Sequence, residues 1–87
     1  MKAYTIGYDL DKPGQNYDRL IARLKQLGAV RILLSQWAVR TSWSASQLRD
    51  DLKAYIDSND RLLVAGLTGE WASYNLLATD QFKQLTA

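Results

Sequence analysis

Ala29-Val30-Arg31-Ile32-Leu33-Leu34-Ser35-Gln36-Trp37-Ala38-Val39-Arg40-Thr41 is the stretch on which the fold turns. Val30, Ile32 and Leu34 alternate with Arg31, Leu33 and Ser35. Trp37, Val39 and Thr41 then alternate with Gln36, Ala38 and Arg40. Period-two patterning rich in β-branched and aromatic residues predicts β structure throughout. No Gly or Pro marks a turn inside it. Either a tight hairpin bends near Ser35-Gln36, or one long strand kinks there through a bulge.

Upstream, Tyr17, Leu20, Ile21, Leu24 and Leu27 recur at the spacing of an amphipathic helix. Asn16 is placed to cap its start and Gly28 to end it at C′. Before that helix, Lys2 to Asp9 alternates cleanly, with Tyr4, Ile6 and Tyr8 on one face, and Pro13-Gly14 marks the following turn. Downstream, Ser44-Ala45-Ser46-Gln47 fits a capping box and opens a second helix with the stripe Leu48, Leu52, Tyr55 and Ile56. Ser58-Asn59-Asp60 then turns the chain into the apolar run Arg61 to Leu67, the signature of a buried strand. Glu70 to Tyr74 reads as an added edge strand and Asp80 to Leu85 as a short terminal helix.

The order β-α-β-β-α-β predicts one α+β domain over residues 1–87. It is ferredoxin-like: an antiparallel sheet with two helices on one face, plus a C-terminal edge strand.

The chain of 87 residues contains neither Cys nor His. That excludes disulfides, thiolate nucleophiles, Cys/His zinc sites and a Ser-His-Asp triad, leaving carboxylates, hydroxyls, Lys and Arg for any chemistry. No apolar stretch is long enough to span a membrane. Met1-Lys2-Ala3-Tyr4 enters a strand pattern directly, without the apolar core of a signal peptide, so a cytoplasmic protein is expected. The net charge is +2, but unevenly spread. Residues 1–40 hold seven basic and three acidic side chains, residues 41–87 four and six. A basic first half fits either a local anion-binding face or charges scattered over a solvated surface.

Asp9 closes the first strand beside the Pro-Gly loop, with Asp11 two positions on. A strand-end carboxylate suits a hard cation such as Mg²⁺, or caps the loop through an Asx-turn. Arg31 is suited to phosphate, and Trp37 to stacking on a base or to the core. By parity Arg31 stands on the face away from Val30, Ile32 and Leu34, and Ser35 shares that parity. Arg19 and Arg23 share one face of the first helix, suited to a phosphate backbone or to solvent. The glycines match no phosphate-loop pattern.

Three segments together resemble the Cas2 family: Tyr8-Asp9-Leu10, Arg31-Ile32-Leu33-Leu34-Ser35-Gln36-Trp37, and Asn59-Asp60-Arg61-Leu62-Leu63-Val64. The likeness runs in order and spacing over roughly residues 4–75. Cas2 proteins are small ferredoxin-like partners of the CRISPR integrase, and VapD-like RNA-cleaving toxins share their fold. The resemblance implies a homodimer packed sheet against sheet, with each C-terminal strand added to its partner's edge. It also implies a shared Mg²⁺ held by Asp9 of each subunit. The family's Arg, Ser and aromatic fall on Arg31, Ser35 and Trp37, where Trp replaces the usual phenylalanine. Its helix-opening arginines are reduced to Arg19, and the Asp11–Asn16 loop is longer.

What the resemblance implies is a Cas2-like homodimer associated with RNA or DNA. As an enzyme it is a Mg²⁺-dependent endonuclease with Asp9 as catalytic and metal-binding residue and Arg19, Arg31, Ser35 and Trp37 on the nucleic acid. Its protein partner is then a Cas1-type integrase or an antitoxin. The alternative is a dimeric adaptor without chemistry, or a regulatory ferredoxin-like domain.

Overall fold

The computed structural model describes residues 1–11 and 17–87. The Pro13-Gly14 turn and the Asn16 cap lie outside the described residues. Four strands form one antiparallel sheet: β1 (Lys2–Asp9), β2 (Val30–Leu33), β3 (Gln36–Thr41) and β4 (Arg61–Gly66), ordered β2-β3-β1-β4. Helices α1 (Tyr17–Gln26) and α2 (Ala45–Leu52) alternate with them, α2 running into a 3₁₀ turn at Lys53–Tyr55. A third helix, α3 (Thr79–Thr86), closes the chain. This is the ferredoxin-like α+β arrangement that the element order predicts.

The central β segment resolves into a hairpin, with Leu34-Ser35 as its turn and a register shift in β2 between Arg31 and Leu33. The ends of the helices follow their sequence signals. Gly28 takes φ +82° and donates to the Lys25 carbonyl at 3.0 Å, while Ala29 donates to the Leu24 carbonyl at 3.0 Å. That pair of bonds is a Schellman close, which needs a left-handed residue at the glycine position. At α2 the Ser44 hydroxyl accepts from the Gln47 N–H at 3.2 Å, and Gln47 Oε1 accepts from the Ser44 N–H at 2.8 Å.

Strand parity builds the main core. Tyr4 and Ile6 of β1 join Trp37 and Val39 of β3 under Leu20 and Leu24 of α1 and Leu48 and Leu52 of α2, all buried. Leu62 and Val64 of β4 pack at its margin. At about 25 cal/mol per Å² of apolar surface, this layer supplies most of the drive to fold.

The other face holds a second, smaller core. Ile32 and Ala38 are buried there against Phe82 of α3, with Val30, Leu67, Leu76 and Leu85 around them. Trp71 meets Phe82 edge-on, ring centroids 4.8 Å apart. The tail therefore departs from the expected fifth strand. Glu70 to Tyr74 forms no strand; the chain crosses the second sheet face and reaches α3 through left-handed Asn75 and Ala78. The cause is apolar content: Trp71, Leu76, Phe82 and Leu85 have a face of β2 and β3 to cover, and a strand beside β4 would leave it bare. Among the described residues no helix is long and apolar enough to cross a membrane.

Candidate nucleic-acid interface

The end of β1, the β2–β3 turn and one side of α1 enclose a cleft of about 300 Å³. Asp9, Arg31 and Ser35 line it together with Tyr17 and Ile21. Three of the residues singled out from sequence thus meet in space. Ser35 comes into place because its carbonyl extends the ladder, accepting from the Tyr8 N–H at 3.1 Å.

Arg31 is the cleft's most constrained polar group. It lies directly opposite Trp37 in the β2–β3 ladder, so both side chains stand on the α1 side of the sheet. The guanidinium carbon sits 4.9 Å from the Trp37 ring centroid. Trp37 is itself fixed, its Nε1–H donating to the Tyr8 hydroxyl at 3.1 Å. The Arg31 Nε is buried with no hydrogen-bond partner among the described residues. The ion pairs among the described residues are Arg23–Asp51, Arg49–Asp50 and Arg61–Asp9, and Arg31 joins none. A stacked, half-buried arginine without an anion is poised to receive one.

Parity placed Arg31 correctly opposite Val30 and Ile32, but that face is not open water: Trp37 lies beneath the guanidinium. Leu34 leaves the parity set because it sits in the turn, almost fully exposed. Trp37 is buried, so its ring supports Arg31 and takes no base directly.

Arg19 lies elsewhere. Its guanidinium is over the Tyr55 ring at 5.6 Å, beside that of Arg23 at 5.9 Å. Arg23 makes a two-point pair with Asp51, 2.8 Å from Nε and 2.7 Å from Nη2. That hydrogen bond holds the Asp51 carboxyl below its usual range and raises Arg23. The resemblance set Arg19 beside Arg31 on the nucleic acid, whereas α1 presents Tyr17 and Ile21 to the cleft and its Arg19 and Arg23 to Tyr55. Tyr17, at the cleft's mouth, has its phenol pKa raised by burial and then by Asp60, Asp11 and Asp57.

Asp9 is 80% exposed and faces Arg61 across the β1–β4 ladder at 3.5 Å. Asp60 is drawn into loop hydrogen bonds, accepting from the Asp11 N–H and the Asp57 N–H, each at 2.8 Å. Among the described residues no three carboxylates cluster as a metal site. One exposed carboxylate already facing a guanidinium does not fit a Mg²⁺ centre within this chain, since that cation seeks oxygen donors and is repelled by a neighbouring arginine.

No protein-family model matches the chain. Among solved structures, the crystal structure of a hypothetical protein, TT1823 from Thermus thermophilus, is similar with a TM-score of 0.68 and 20% identity. The match covers 85% of this chain and 90% of that one. At this identity the likeness concerns the fold alone.

Proposed function

We propose that the protein is a Cas2-like homodimer that binds nucleic acid through its phosphate backbone, as an adaptor without hydrolysis. The observation that carries this reading is Arg31: stacked on Trp37, half-buried, joined to no carboxylate among the described residues, and lining a cleft with the Ser35 turn. A guanidinium held by its ring face presents its edge to an anion in fixed geometry, which suits a phosphate diester. Hydrolysis would ask for a Mg²⁺ shared by Asp9 of two subunits, and within one subunit that carboxylate is turned to Arg61, which favours the adaptor.

The test is affinity against salt for labelled duplex and single strands, measured by fluorescence anisotropy. Arg31→Ala should weaken binding to all sequences alike and reduce the slope of log affinity on log salt by about one. Wild-type protein that binds no nucleic acid at low salt would overturn the reading. Wild-type protein that cuts RNA or DNA with Mg²⁺, losing that activity in Asp9→Asn, would replace the adaptor with a nuclease.

A further inference from the structure

The two edges of the sheet are treated differently. At one edge β2 is four residues long and broken by its register shift, and the Leu77 N–H donates to its Ile32 carbonyl at 2.9 Å. Shortness, irregularity and a covering segment are the usual defences of an edge. At the other edge β4 has none of them. Among the described residues it pairs only with β1, runs six residues in regular register, and carries no Pro, Lys or acidic residue, its one charge being Arg61 at the start.

The Leu67 N–H donates to the Ala3 carbonyl at 2.8 Å, which sets the phase of the ladder. Ala65, Leu63 and Arg61 therefore bond to β1, and Leu62, Val64 and Gly66 turn their N–H and C=O groups to the free edge. Clefts flank that edge on both faces. Two of about 540 Å³ lie between it and α2, and one of about 320 Å³ opens at Gly7, Arg61 and Leu63. Leu63 is 66% exposed in the middle of it.

From this contrast we propose that β4 is the subunit interface, pairing antiparallel with β4 of a second copy about a two-fold axis at Leu63. The occupant is a second copy because the edge is complementary to itself. Leu63 meets its own counterpart in a non-hydrogen-bonded pair, where side chains approach closest. Leu62 lies opposite Val64 on the helix side, and Arg61 lies opposite Ala65 with no like charge across from it. The α2 helices then flank the joint antiparallel, the Ser44 end of each beside the Arg49 end of the other.

The inference rests on the homodimer reading but replaces the tail exchange that the Cas2 resemblance implies, because the tail here is spent on the second sheet face. It also keeps the two Asp9 carboxylates apart. Each lies on β1, and two β4 strands stand between, so about 14 Å or more separates them.

The experiment uses the full chain, which has no native cysteine. Light scattering of the wild type should give twice the chain mass, and Leu63→Lys should give the single mass with an unchanged circular dichroism spectrum. Leu63→Cys should form an intermolecular disulfide on mild oxidation, while Leu34→Cys in the exposed β2–β3 turn should not. A dimer that survives Leu63→Lys, with no cross-link at Leu63→Cys, would overturn the β4 interface and leave the homodimer standing. A wild-type monomer would overturn both, and nucleic-acid binding by that monomer would still uphold the phosphate site.

Discussion

Arg31 rests on Trp37 with its guanidinium carbon 4.9 Å from the ring centroid, and the ring is held in turn by the hydroxyl of Tyr8. The arginine gains a stacking surface yet leaves its Nε buried without a partner among the described residues. A buried donor left unmet costs about 1–3 kcal/mol, so this side chain is a poor choice for stability alone. Replacing it with Met, which keeps the length and packs on the same ring, should stabilise the fold by about 1 kcal/mol and weaken nucleic-acid binding. Thermal melts and anisotropy titrations on one preparation check both halves. A variant that loses stability and keeps affinity would assign Arg31 to structure only.

Asp9→Asn should leave affinity for nucleic acid unchanged or raise it slightly, because the substitution removes a negative charge from the end of β1 beside the cleft, although the carboxylate itself is turned to Arg61. Divalent-dependent cleavage should be absent in both proteins. The check is a gel assay on RNA and DNA with Mg²⁺ or Mn²⁺, run beside the binding titration.

The Arg23–Asp51 pair makes a pH prediction. Its hydrogen bond lowers the folded pKa of Asp51, so the pair's stabilisation is complete above the unfolded carboxylate value of about 4. That contribution is lost as pH falls through the lower, folded value. Asp51→Asn should therefore lower the melting temperature near neutrality and flatten its decline in acid. Equal acid slopes in the two proteins would count against the pair.

Phe82→Ala should empty the centre of the second core and release α3, at a cost of about 3 kcal/mol. Trp71, which now meets that ring edge-on, should shift its fluorescence to longer wavelength. The α1 and α2 layer shares none of these contacts, so Leu20 and Leu48 amides should keep their hydrogen-exchange protection.

Much of the fold was legible because its signals are local. The stripe from Tyr17 to Leu27, the left-handed Gly28 and the Ser44–Gln47 box each lie within a few turns of chain, and each forms as read. The tail was illegible for the opposite reason. Whether Glu70 to Tyr74 becomes an edge strand depends on which distant apolar surface is still uncovered, and the uncovered one was Ile32 and Ala38. Site residues divide along the same line. Parity put Arg31 on the correct face, but alternation says nothing of what covers a face. The separation of Arg19 from Arg31 arises from how α1 is rotated on the sheet, and several elements set that rotation together.

The Leu77 N–H bound to the Ile32 carbonyl has a consequence beyond its own strand. A sheet with two open edges is a monomer unit for a filament, since each addition exposes a fresh template. With the β2 margin sealed from within the same chain, growth through the proposed β4 pairing would end after a single addition. On that pairing, one backbone hydrogen bond and the loop that carries it would separate a closed pair from a fibre. Changes in residues 70–78, remote from any site discussed above, should be felt first as altered aggregation.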